Sequence, residues 1–188
     1  MPFKTHQTAV VALPPPHVWD PIQAIRRHYD RQFEWWMPHI NLLSPFVPPE
    51  QFDEAADRLT EACREIAPFG VIFGQFRFFT HRSGRSTIWL EPEPHKSFLA
   101  LHERLVAAFP DCDDLNRYPG GFMPHLSVGQ TDTPETLRNL LDRLQADWDP
   151  LPFDLDEIAL IRRDDHDPFR VVREFTLRGA SLVPQTTA

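Results

Sequence analysis

Two histidines, His39 and His125, stand 86 residues apart in near-copies of one pattern, Met37-Pro38-His39-Ile40-Asn41-Leu42 and Met123-Pro124-His125-Leu126-Ser127-Val128. Each copy reads proline, histidine, apolar, hydrogen-bonding residue, apolar. A Pro-Glu pair follows each copy (Pro49-Glu50, Pro134-Glu135), and then Asp-Arg-Leu (Asp57-Arg58-Leu59, Asp142-Arg143-Leu144), in the same register to within one residue. Such a register predicts a duplicated structural unit. If the halves face each other, two imidazoles share one cleft, where one can accept a proton while the other donates one near neutral pH.

The chemistry best served is metal-free cleavage of a phosphodiester. A neutral imidazole takes a proton from water or a ribose hydroxyl as it attacks phosphorus, and a protonated one gives a proton to the departing oxygen. The Asn41 amide and the Ser127 hydroxyl can donate to the non-bridging oxygens, where charge accumulates. A lone histidine in an apolar strand is ordinarily a structural, hydrogen-bonded residue. The repetition is what argues for a shared site.

These side chains need strands to aim them. Side chains alternate faces along a strand, so His39 and Asn41 share one face and Ile40 and Leu42 the other, with His125 and Ser127 likewise opposite Leu126 and Val128. Proline before each histidine removes a backbone donor, suits a strand start and holds the preceding Met extended. The periodicity predicts strands at Thr8 to Leu13, His39 to Leu43, Val71 to Phe79, Thr87 to Leu90, His125 to Gly129, Phe153 to Ile161 and Phe169 to Leu177. Helices are predicted from an Asp20 N-cap to Phe33, through Phe52 to Ile66, from His95 to Phe109, and through Leu137 to Trp148. Both halves then read strand, helix, His strand, helix, strand. The expected fold is α+β, bilobal and duplicated, with antiparallel or mixed sheets lining a central groove and helices packed outside. A single domain is expected over 1–181, with interleaved lobes, an internal repeat of about 8–80 and 86–162, and a flexible tail at 182–188.

The 188 residues suffice for one compact domain with a substantial core. A net charge of −8 excludes a broad basic surface for long-duplex nucleic acid, but leaves room for a small anionic ligand or a nucleic-acid end. No apolar run approaches membrane-spanning length and no secretory signal pattern opens the chain, so no membrane association and a cytoplasmic location are expected. A monomer is the default expectation. The two cysteines, Cys63 and Cys112, have no metal-type spacing, and Cys63 fits a buried helix face. Nine histidines raise a metal site as an alternative. None forms a His-x-x-x-His pair or a Cys/His knuckle, so no metal and no cofactor are expected.

At the two motifs the chain resembles the two-histidine (2H) phosphoesterase superfamily, which includes LigT-like, 2′-5′ RNA ligase-like and cyclic phosphodiesterase proteins. That family carries paired His-x-Thr/Ser-x motifs on strands of a bilobal, duplicated fold. They stand here as His39-Ile40-Asn41-Leu42 and His125-Leu126-Ser127-Val128, and the order of elements agrees from Thr8 to about Leu177. The resemblance implies hydrolysis of 2′,3′-cyclic or 2′,5′ phosphodiesters in nucleotides or RNA ends, with His39 as the acid, His125 as the base, and Asn41 and Ser127 on the phosphate. Ser127 matches the family hydroxyl, whereas Asn41 departs from it. A nucleotide- or RNA-end-binding module with little turnover is the alternative, and 2′,5′ RNA ligation is the same site run backwards.

Among the remaining candidates, Tyr118 and Phe122 could stack on a base or simply pack in their loop. Arg82, Arg85, Arg162 and Arg163 could reach a phosphate or a second nucleotide. Trp35 and Trp36 are expected in lobe packing, and Gly120-Gly121 in a turn.

Overall fold

The structure, a computed structural model, describes residues 4–180; the tail expected at 182–188 lies outside them. Two four-stranded antiparallel sheets form the framework. The first has the order β2 (Ile40–Leu43), β1 (Thr8–Ala12), β7 (Glu157–Arg162), β8 (Arg170–Thr176). The second has the order β5 (Leu126–Thr131), β4 (Ser86–Glu93), β3 (Phe69–Thr80), β6 (Leu151–Leu155). The sheets correspond strand for strand. Each His motif runs into an edge strand, β2 or β5, and pairs with the strand that opens its half, β1 or β4. The lobes interleave because β3 leaves the first half to join the second sheet, and β7 and β8 return to the first.

The helices are α1 (Trp19–Tyr29), α2 (Phe52–Cys63), α3 (His95–Ala108) and α4 (Pro134–Ala146). Their apolar faces (Ile22 of α1, Leu59 and Cys63 of α2, Phe98 and Leu101 of α3, Leu137 of α4) join one core with the helix-facing sides of both sheets. Thr133 caps α4, its hydroxyl accepting from the Thr136 N–H at 3.2 Å, with Pro134 at the first helical position. Asp20 is not the N-cap of α1. The preceding Pro16–Val18 turn moves the start to Val18, and Asp20 lies in the first turn, where its charge suits the helix dipole.

The helices cross between halves. α1 packs on β5, the strand after His125, and α3 packs on β2, the strand after His39. The α1 contact is close because residue 129 is glycine: a Cβ there would lie 2.6 Å from the Cβ of Tyr29. Each histidine strand is therefore braced by the opposite half of the chain.

The single strand expected over Phe153 to Ile161 is two strands. Phe153 and Leu155 are buried in β6, but the core-facing parity then shifts to Ile158 and Leu160 in β7. Asp156 is the extra residue, and it marks the crossing between sheets. Its carbonyl accepts from the Leu177 N–H at 2.7 Å.

Candidate active site

Each histidine lies one residue before its strand and is half-buried on the concave face, with Ile40 and Leu42, or Leu126 and Val128, buried beneath. The same irregularity ends both motifs. The pairing passes from Leu43 to Asn41 opposite Val10 and Val11, and from Gly129 to Ser127 opposite Ile88 and Trp89. Leu42 and Val128 are thus equivalent bulged residues, the kind of feature that re-aims side chains beside a site. Buried His102 on α3 donates from Nδ1 to the Leu42 carbonyl at 2.8 Å, satisfying the bulged backbone.

Both rings are oriented alike. His39 Nδ1 bonds the Met37 carbonyl at 2.8 Å and His125 Nδ1 bonds the Met123 carbonyl at 2.7 Å. A carbonyl only accepts, so Nδ1 carries the proton and Nε2 is the nitrogen left for chemistry. The proline after each Met thus has a visible purpose: it keeps the Met extended, with its carbonyl presented to the ring.

A tryptophan flanks each imidazole. Trp36 stacks on His39 with ring centres 4.4 Å apart and planes 16° from parallel. Trp36 also stacks on Phe169 at 3.7 Å and packs on the cluster of Ala9, Val11, Ala159 and Ile161, so it packs within its lobe and flanks the imidazole as well. Beside His125, Trp89 and Phe79 stand edge-on at 5.8 and 5.0 Å. Trp89 pairs across the sheet with Ser127 and is 4% exposed, and its indole Nε1 is buried with no hydrogen-bond partner among the described residues. A buried unpaired N–H costs roughly 1–3 kcal/mol.

Behind the rings, α1 holds a buried ion pair. Arg26 Nε donates to Asp30 Oδ2 at 2.8 Å, with both side chains almost wholly enclosed. Arg26 Nη2 also donates to the Trp36 carbonyl at 2.7 Å, and Gln130 of β5 donates to Asp30 Oδ1 at 3.1 Å. The pair therefore ties the segment leading to His39 to the strand that follows His125.

This environment disfavours charge on both imidazoles. Burial pulls the His39 pKa from 6.5 down to about 4; the Met37 carbonyl opposes the shift, the charges of Arg26 and His125 add to it, and Asp30 opposes it. The influence of His125 on His39 places the two rings in one electrostatic neighbourhood. Burial also lowers the His125 pKa, against the pull of the Met123 carbonyl.

The expected donors divide. Asn41 shares the groove face with His39 and donates from Nδ2 to its Nε2 at 3.3 Å, while Ser127 is half-buried with no such contact. Phe122 is buried and stacks on His102 at 3.9 Å, so it packs its loop and does not face a base. Tyr118 is exposed, and Gly120 and Gly121 make the turn with left-handed φ values of 92° and 77°. Arg85 pairs with Asp132, and Arg162 with Asp164. Among the described residues no three of His, Cys, Asp and Glu are grouped to hold a metal ion, and no helix is long and apolar enough to cross a membrane. The residues missed in the sequence are Trp89, Arg26, Asp30 and Gln130; of these, only the Arg26–Asp30 pair left a signal, in its i,i+4 spacing on a helix.

The model of the 2′-5′ RNA ligase superfamily matches residues 14–167. The chain belongs to that superfamily. Its resemblance to the two-histidine phosphoesterases, read from the paired motifs, holds at the level of the family. A protein of Oceanobacillus iheyensis named "putative phosphoesterase" is 25% identical over 169 residues, covering 89% of this chain and 96% of its own length. Another protein of that name, from Geobacillus kaustophilus, is 28% identical over 122 residues, 64% of this chain and 67% of its own. In three dimensions the superfamily fold is shared with Escherichia coli LigT, solved in complex with 3′-AMP: TM-score 0.63 and 14% identity, over 92% of this chain and 98% of LigT. A Thermus thermophilus structure matches with TM-score 0.64 and 19% identity, over 92% of this chain and 98% of that one.

Proposed function

We propose that this member of the superfamily is a cytoplasmic, metal-independent phosphodiesterase, folded as one unit over 1–181. It hydrolyses 2′,3′-cyclic or 2′,5′ phosphodiester bonds in nucleotides or RNA ends. The observation that carries the reading is the matched tautomer of the two imidazoles, each with Nδ1 on a Met carbonyl and Nε2 as the nitrogen that moves a proton.

His39 is the base. Its pKa of about 4 keeps it neutral at physiological pH, the form able to take the proton from water as the oxygen attacks phosphorus. His125 is the acid. It lies outside the Trp36 stack, and an anionic phosphate in the groove raises its hold on a proton, which passes to the departing ribose oxygen. These roles reverse the direction that family analogy suggested. Ser127 Oγ and Trp89 Nε1 supply donors to the non-bridging oxygens, and Asn41 holds His39 in place until substrate enters. A phosphorus–oxygen bond forms to water as the one to the ribose oxygen breaks, with one proton taken up and one delivered. The nucleotide found with LigT supports a nucleotide as substrate.

One observation favours the alternative of a binding module with little turnover: Asn41 occupies the Nε2 of His39 at rest. Joining 2′,5′ ends would use the same groups in reverse. Incubation with 2′,3′-cyclic AMP in excess EDTA separates the readings. A nucleoside monophosphate product at undiminished rate is expected; binding without product would establish the module, and loss of rate on chelation would refute the metal-free mechanism.

A further inference from the structure

A recess of about 430 Å³ is lined by Gln32, Arg163, Asp165, His166 and Trp35, the chain neighbour of Trp36. We propose that it binds the base and phosphate of the nucleotide adjoining the reacting one, so that the substrate is a strand end of at least two nucleotides. The inference rests on the phosphodiesterase reading and narrows it.

Position carries the first part of the argument. Trp36 stacks on His39 at 4.4 Å and on Phe169 at 3.7 Å, and two near-parallel partners at those distances occupy opposite faces of one indole. The Arg163 guanidinium lies 5.2 Å from the Phe169 ring centre. Imidazole, indole, phenyl and guanidinium thus form one pile that starts at the reacting nitrogen and ends in the recess. A strand bound with its phosphorus at His39 would follow this wall.

The lining has the chemistry a nucleotide needs. Trp35 exposes 37% of its surface, an aromatic face of the type on which bases stack. Arg163 has no carboxylate partner among the described residues, and a guanidinium suits a phosphate oxygen pair. Asp165 uses Oδ1 to accept from Gln7 at 2.6 Å, leaving Oδ2, with the Gln32 amide, for base amino groups. The rim is built rather than loose. Asp164 receives both Arg162 and Arg170, the Phe169 N–H donates to the Trp35 carbonyl at 2.9 Å, and His166 is held at φ 71°, a left-handed backbone rare for a side-chain-bearing residue.

The test compares adenosine 2′,3′-cyclic phosphate with the dinucleotide carrying one more adenosine on its 5′ side. The dinucleotide is expected to show a KM about tenfold lower. Trp35→Ala and Arg163→Gln should each raise it toward the mononucleotide value, leaving mononucleotide kinetics unchanged. Equal KM values in the unaltered protein, or variants that impair both substrates equally, would overturn the subsite. If neither substrate is turned over, the activity reading fails, and calorimetry with adenosine 2′-phosphate and the matching dinucleotide decides the subsite alone. About tenfold tighter binding of the dinucleotide, lost in both variants, upholds it, and equal affinities overturn it.

Discussion

Asn41 donates its amide to the Nε2 of His39 across 3.3 Å, and its own Oδ1 is buried with no partner among the described residues. A hydrogen bond given to the neutral ring favours that form, so Asn41 acts on the imidazole before any phosphate arrives. Asn41→Thr should free Nε2 and raise the acidic limb of the kcat/KM profile by ~0.5 pH unit. It should also raise kcat/KM about threefold, the gain expected when a bond of ~0.6 kcal/mol no longer has to break as substrate binds. Steady-state kinetics across pH checks both; an unchanged limb would remove Asn41 from the proton chemistry.

The pH profile follows from the two depressed pKa values. Catalysis requires His39 neutral and His125 protonated. The profile of kcat/KM, which reports the free protein, should rise with pH through about 4 as His39 loses its proton and fall again below 6.5 as His125 loses its own. The optimum is therefore acidic. The kcat profile should lie higher, because bound phosphate favours both protonated rings. Both limbs above 6.5 in kcat/KM would contradict the site's electrostatics.

Trp89 offers a cleaner test of phosphate recognition than Ser127. Trp89→Phe keeps an aromatic ring against Phe79 and His125 and deletes only the unpartnered N–H. We expect kcat/KM to fall about tenfold, as for loss of one donor to developing charge. Thermal stability should hold or rise slightly, since a buried orphan has been removed. Unchanged kinetics would show that this N–H never meets substrate.

The Arg26–Asp30 pair ties the two histidine segments together and sets charge near His39. Asp30→Asn should cost about 3 kcal/mol in denaturant unfolding, because it strands a buried guanidinium. It should also lower the acidic limb further, since Asp30 is the charge that raises the His39 pKa. Arg26→Met combined with Asp30→Leu should cost less than the single change. A stability loss with no movement of the limb would confine the pair to a structural role.

The alternation of His39 with Asn41 and of His125 with Ser127 was legible because period-two burial leaves a direct trace in sequence. The element order was legible for the same reason. The break at Asp156 left a trace as well, in the parity shift from Leu155 to Ile158, which a reading of Phe153 to Ile161 as one alternating strand passes over. Trp36 and Trp89 were not legible as site residues, because stacking depends on which strands lie adjacent, and the crossing of β3 into the second sheet is set by tertiary packing. The swap of α1 onto β5 rests on one close approach at Gly129, which no local pattern announces.

Everything proposed for the site requires that His39 and His125 act on one phosphorus. Single-turnover hydrolysis of 2′,3′-cyclic AMP in EDTA, by the unaltered protein and by His39→Ala and His125→Ala variants shown to be folded, tests this most directly. Each substitution is predicted to slow the chemical step by roughly 10²–10⁴, and the double variant to be little slower than either single one. A variant lacking either imidazole that keeps the unaltered rate would contradict it.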